Sequence, residues 1–238
     1  LPGKSGILDA KLVEEAINPP DFYHSPLTSL VCVENTTNKG GGACYDFKTL
    51  QEIKDVAVKH GLKYHLDGAR LWNAIIEKKE DPRQYGAMFD TISLCFSKGL
   101  GTPLGTVLVG TKEAMKNAMR VRKVLGGGMR QIGYIAAAGL FALDNNLERL
   151  KEDHKRASEI AETLVKQDYV QKVEPTETNI VIFYLNQSIS DELFLNNLLK
   201  KNVKISTMGQ GKLRIVTHLD YTEEMHQTFL SILENYNV

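Results

Sequence analysis

The run Thr91-Ile92-Ser93-Leu94-Cys95-Phe96-Ser97-Lys98-Gly99-Leu100-Gly101-Thr102-Pro103-Leu104-Gly105 constrains this chain more than any other. It opens as an apolar, β-rich segment and breaks into glycines immediately after one lysine. A lysine between a buried strand and a glycine-rich turn is expected to have little access to water. Desolvation disfavours the ammonium form and lowers the pKa, as a nucleophilic amine requires. Taken alone, the same lysine would be a strand-end side chain reaching for solvent.

A second element upstream changes the balance. Leu62-Lys63-Tyr64-His65-Leu66-Asp67-Gly68-Ala69-Arg70 is another short apolar strand, and it ends in a carboxylate. A helical pattern from Ala69 to about Lys78 and a polar linker containing Pro82 separate the two, enough for a right-handed βαβ crossover. Parallel neighbouring strands would bring Asp67 and Lys98 to one carboxyl edge, where ligands of open α/β sheets bind. A carboxylate and a lysine at opposite ends of one planar ring describe a pyridoxal phosphate site. Lys98 would hold the aldehyde carbon as a Schiff base, and Asp67 would keep the pyridine nitrogen protonated.

The chain of 238 residues can bury one large core or two modest ones. Its formal charge is zero, which argues against a broad surface for nucleic acid or anionic membrane. No apolar run approaches the ~18 residues of a membrane span, and no signal peptide opens the sequence. Cys32, Cys44 and Cys95 are odd in number and lack metal-ligand spacing. Cys32 and Cys95 fall in apolar strand patterns, so buried free thiols in a reducing cytoplasm are expected, with no disulfide and no metal site. Gly99, Gly101 and Gly105 do not form a nucleotide cradle, because Leu104 stands where the third glycine belongs and Pro103 removes an amide.

Along the chain, Leu8 to Ala16 reads as a short helix stopped by Asn18-Pro19-Pro20, and Leu30 to Val33 as a fully buried strand. Asp46 should cap a helix with Leu50, Ile53 and Ala57 inward, ending at Gly61. Val107 to Val109 is a further strand, and Thr111 should cap a helix from Lys112 to Lys123. An alanine-rich helix, Ile132 to Leu143, and a charged one, Leu147 to Lys166, follow. Strands over Asn179–Leu185, Val203–Ser206 and Leu213–Thr217 enclose a helix from Asp191 to Lys201 whose apolar residues are Leu193, Leu195, Leu198 and Leu199. Glu223 to Tyr236 closes as an amphipathic helix. Strand and helix alternate in the first half, which predicts an α/β layered domain over 1–145, and the tail over 146–238 predicts a smaller α+β domain.

Asp67-Gly68-Ala69-Arg70, Ser97-Lys98-Gly99-Leu100-Gly101 and Leu125-Gly126-Gly127-Gly128-Met129-Arg130-Gln131 together resemble the low-specificity L-threonine aldolases, a family of fold-type I pyridoxal phosphate enzymes. The similarity runs from near Leu1 to the final helix, and it implies an N-terminal portion preceding Leu1. The implied reaction is retro-aldol cleavage of L-threonine or L-allo-threonine to glycine and an aldehyde. Lys98 and Asp67 would take the cofactor roles, and Arg70 would meet the substrate carboxylate and brace the ring. Arg214, an arginine among strand apolars, would be a bidentate clamp on the same carboxylate. His24 would sit near the β-hydroxyl and move its proton. Lys123 and Arg130, beside the triple glycine, would reach the cofactor phosphate, Lys123 from a neighbouring subunit of a dimer or tetramer. His65, alternating with Asp67, reads as packing around the site. Another fold-type I lyase performing β-elimination, or a non-catalytic remnant of the fold, are the rival readings.

Overall fold

The computed structural model describes residues 3–236; Leu1, Pro2, Asn237 and Val238 lie outside it. Two four-stranded sheets organise the chain. The first contains β1 (Leu30–Glu34), β2 (Lys63–Gly68), β3 (Thr91–Cys95) and β4 (Thr106–Gly110) in that spatial order. Strands β1 to β3 are parallel and β4 returns antiparallel beside β3.

Helices α1 (Ala10–Glu15), α2 (Phe47–Lys59), α3 (Leu71–Lys78) and α4 (Pro82–Met88) accompany this sheet. The α2 helix starts where Asp46 accepts a hydrogen bond from the Thr49 amide, 2.7 Å away. Leu50, Ile53 and Ala57, spaced for one helical face, are buried with Val31, Val33, Tyr64 and Leu66 of the sheet. Burial of each large aliphatic side chain is worth about 1.5–3 kcal/mol, so this face fixes the helix on the sheet. The stretch expected to be a linker around Pro82 is helical. Asp81 caps it through the Arg83 amide, and Pro82 occupies the first turn, where its missing N–H costs nothing.

The strand β1 is not buried throughout. It alternates, with Val31 and Val33 inside and Leu30 and Cys32 on the exposed face, so the expected buried thiol at Cys32 is exposed. Cys95 is half-buried. Burial pushes the Cys44 thiol up to about 12 and raises that of Cys32 as well.

After β4 come α5 (Lys112–Val124), α6 (Gly133–Asn145) and α7 (Leu150–Val165). Thr111 caps α5 through the Ala114 amide at 3.2 Å. The second sheet is antiparallel, in the order β5 (Val170–Val173), β6 (Ile180–Leu185), β8 (Lys212–Val216), β7 (Ser206–Gly209). It packs with α7, α8 (Asp191–Lys200) and α9 (Glu223–Glu234) around Phe183, Phe194, Leu198, Leu213 and Phe229. On α8 the inward residues are Phe194 and Leu198, whereas the apolar Leu193 and Leu199 are exposed. The third strand begins at Ser206 rather than ending there, because Val203 closes the α8 turn by bonding to the Leu198 carbonyl. Among the described residues no helix is long and apolar enough to cross a membrane.

Candidate active site

The carboxyl edge of the first sheet is built by two turns. At the end of β2, Asp67 lies opposite Glu34 of β1 and Ser93 of β3, so these three share the face away from the packed helices. The Asp67 carboxylate accepts the Ala69 N–H at 3.0 Å, which fixes the turn into α3. A side chain at Gly68 would meet the Ser93 carbonyl at 2.5 Å, so the approach of the two strands needs glycine there. His65 is on the face of Asp67, its Nδ1 2.7 Å from Thr91 Oγ1.

At the end of β3, Phe96 is buried and the chain turns through Ser97-Lys98-Gly99. The Gly101 amide donates to the Lys98 carbonyl at 2.9 Å, with Gly101 in the left-handed region at φ 72°. Each of the next two carbonyls is held by a side chain from a distant helix. Arg149 donates to the Gly99 carbonyl at 3.4 Å and Asn146 to that of Leu100 at 2.8 Å. Arg149 in turn forms a two-pronged pair with Asp153, which is fully buried. The backbone of the lysine turn is therefore set by helix α7 as much as by β3.

Lys98 itself is exposed, contrary to the water-shielded position expected for it. The turn carries it past the last buried residue, Phe96, to the rim of a cavity of about 350 Å³. That cavity is walled by Arg70 and Lys98 from the first sheet and by Asn179 and His218 from the second. Asp67 is not in its wall, although it stands at the same sheet edge.

Arg214 follows the alternation of β8, with Leu213 and Ile215 inward and Arg214 on the opposite face. There its Nη1 donates to Asn38 Oδ1 at 2.9 Å, while its Nε is buried without a hydrogen-bond partner. Arg214 borders a second, open cavity of about 910 Å³ that shares Val216 and His218 with the Lys98 cavity. Burial pushes the Arg70 guanidinium pKa down; Glu34 opposes this, Arg214 adds to it, and Asp67 resists it more weakly. Two guanidiniums close enough to repel, one with a free buried donor, describe a place for an anion, and a carboxylate can accept both N–H groups of one fork.

Besides Asp67, three more of the expected residues line neither cavity. His24 is exposed on the loop before β1, stacked with Tyr23 at 4.0 Å between ring centroids. Lys123 and Arg130 are exposed near the triple glycine, where the Lys123 stem fills the space that a side chain at Gly128 would need. Conversely, Asn179 and His218 line the cavity and were not expected there. Asn179 reads in sequence as the first residue of a strand, and only the pairing of β6 with β8 turns it toward Lys98.

Residues 1–188 match the profile of the family described as beta-eliminating lyase. The chain belongs to the beta-eliminating lyase family. It is 37% identical over 232 residues to low-specificity L-threonine aldolase 1 of Arabidopsis thaliana, covering 94% of this chain and 64% of that protein. It is 37% identical over 206 residues to the low specificity L-threonine aldolase of Escherichia coli K12, covering 86% and 59%. The chain thus spans less than two thirds of the length of these curated relatives. Among solved structures, a threonine aldolase of Leishmania major superposes with a TM-score of 0.82 at 22% identity, covering 98% of this chain and 68% of that one. The fold is that of the fold-type I enzymes.

Proposed function

We propose that this chain carries the lysine, the ring-facing carboxylate and the carboxylate-binding arginines of a pyridoxal-phosphate-dependent lyase. Its reaction is cleavage of the Cα–Cβ bond of a β-hydroxy-α-amino acid, L-threonine or L-allo-threonine among the substrates, to glycine and an aldehyde. The observation that carries this reading is the meeting of Lys98 and Arg70 in one cavity, with Arg214 on the adjoining wall.

The residues fit the cofactor. Asp67 stands on the open sheet face at the edge from which Lys98 projects, and the buried unpartnered Nε of Arg214 is a donor in want of an anion. When bound, pyridoxal phosphate supplies an aldehyde for the amine and a ring that accepts the electron pair left at Cα. Lys98 would be its covalent anchor, and Asp67 would hold the proton on the ring nitrogen. Arg70 and Arg214 would bind the α-carboxylate from two sides and so orient the Cα–Cβ bond before it breaks. Removal of the hydroxyl proton is a histidine's task in this reading. His218 stands in the Lys98 cavity and His24 outside it, so His218→Gln should depress kcat more than His24→Gln. The exposed positions of Lys123 and Arg130, away from this cavity, support service to the site of a second copy in a homo-oligomer. The three free thiols suit a reducing cytoplasm.

Borohydride reduction of the protein with pyridoxal phosphate should add one cofactor to the peptide containing Lys98, and Lys98→Ala should abolish both the adduct and turnover. An adduct that persists in that variant overturns the assignment. The family description favours a second reading, β-elimination, and product analysis separates the two: glycine and an aldehyde against ammonia and a keto acid.

A further inference from the structure

Arg214 is half-buried and has an unusual partner for a guanidinium so placed. Arg149 and Arg156, whose side chains are each 13% exposed, pair with the carboxylates of Asp153 and Glu223. Arg214 forms no ion pair among the described residues, and its one side-chain hydrogen bond runs from Nη1 to the neutral amide oxygen of Asn38 at 2.9 Å. A guanidinium only donates, so the atom facing it must be that oxygen, and the orientation of the Asn38 amide is fixed. The contact joins the two halves of the chain. Asn38 lies on the loop that leaves β1, and Arg214 sits on β8, held there by pairing with Ile182 and Ser206. The loop is itself well fastened. The Asn38 amide donates to Glu34 Oε2 at 3.0 Å, the Thr37 amide to the Ala43 carbonyl at 3.0 Å and the Gly42 amide to the Thr37 carbonyl at 2.8 Å. Thr178 Oγ1, from the second half, donates to the Gly42 carbonyl at 2.8 Å, and a side chain at Gly42 would collide with that hydroxyl.

We propose that Asn38 is a positioning residue, which holds the Arg214 guanidinium on the wall adjoining the Lys98 cavity without neutralising its charge. This rests on the reading above, in which Arg214 binds the α-carboxylate of the amino acid. A carboxylate at position 38 would hold the guanidinium as firmly, but it would also answer the charge that the substrate is to meet. With no partner at all, the long arginine stem would spread over several rotamers, and the work of ordering it would fall on each binding event. An amide oxygen orients the arginine and leaves its charge open. Glu34, the carboxylate nearest along the loop, is engaged by the Asn38 amide and forms no ion pair with Arg214.

The test compares L-alanine with ethylamine, which differ by the carboxylate alone, in equilibrium binding to the cofactor-loaded protein at about pH 8, where an aspartate is ionised. Binding is read from the absorbance of the cofactor. The unaltered protein should favour L-alanine by about a hundredfold, the size of one charge-assisted contact. Asn38→Ala should lower that preference about tenfold and Asn38→Asp by at least as much, each leaving the dissociation constant for ethylamine within about threefold. Asn38→Asp separates positioning from support of the fold. It keeps the acceptor, so a thermal midpoint no lower than that of the unaltered protein should accompany the lost preference, and it decides the matter if the alanine variant does not fold. A preference lowered by less than about threefold in either folded variant overturns the role of Asn38 alone. An unaltered protein that binds both ligands alike, or neither, overturns the carboxylate reading and this inference together.

Discussion

Strands β4 and β6 both read as apolar, Thr-Val-Leu-Val-Gly and Ile-Val-Ile-Phe-Tyr-Leu, yet the molecule treats them oppositely. Every residue of β4 is exposed, while all of β6 except Tyr184 is buried. The contrast extends to their neighbours: α5 beside β4 buries no residue, whereas α8 and α9 close over the second sheet with Phe194, Leu198, Phe229 and Leu233. Apolarity makes a segment eligible for a core, and a covering layer decides whether it becomes one. Met119, Val124, Leu125, Leu140 and Phe141, in the segments that follow β4, are exposed as well.

Substitutions in the two regions should therefore differ by several kcal/mol, roughly the span between core and surface sites. Phe194→Ala, at a fully buried position ringed by Tyr169, Phe183 and Tyr236, should cost about 4 kcal/mol of unfolding free energy in a urea titration. A loss below about 1 kcal/mol would mean that the second core is loosely packed. Asp153→Ala should cost about 3 kcal/mol, because it strands the largely buried Arg149 without its partner. It should also slow turnover, since Arg149 holds the carbonyl next to Lys98.

His154 joins α7 to α3 and should show in a pH series. Its Nδ1 is 2.8 Å from Glu77 and its Nε2 3.1 Å from the Asn73 amide nitrogen, an arrangement that suits the neutral ring. Burial holds its pKa below the ordinary 6.5, with Glu77 opposing. The folded protein therefore binds a proton less readily than the unfolded chain. The contribution to stability is present above pH 6.5 and is lost as pH falls from there through the depressed value. His154→Gln should flatten the stability profile in that acid window, and an unchanged slope would remove His154 as its source. Least of all, Leu108→Lys on β4 should move stability by no more than about 0.5 kcal/mol. A loss comparable to that of Phe194→Ala would show that β4 is covered in solution.

Much of the scaffold was legible because local chemistry decided it. Asp46 and Thr111 cap the helices they were expected to cap, and Leu50, Ile53 and Ala57 face inward at helical spacing. The two strand ends bearing Asp67 and Lys98 are parallel neighbours, as the crossover between them required. What was not legible depended on contacts made far along the chain. The pattern of β1 does not say that Cys32 lacks a covering layer, and a glycine turn does not say how far Lys98 stands out from the sheet. The second strand of the site, with Asn179 at its head, acquires meaning only through its pairing with β8. The Pro82 helix is a different kind of miss. Asp81-Pro82 is a helix-start signature in plain view, obscured by reading proline only as a breaker.

Helix α7 has a bearing on how the molecule would be inactivated. Leu150, at one end, belongs to the cluster with Phe96 and Leu100 under the lysine turn; Ala157, Ile160 and Leu164, further along, belong to the second core. One rod is thus seated in two sockets. When the second core loosens, the helix loses its seat and the grip of Arg149 on the Gly99 carbonyl goes with it, even while β1 to β4 keep their register. Heat or mild denaturant should therefore silence Lys98 at the midpoint of the C-terminal core, although Lys98 itself lies in the other half of the chain.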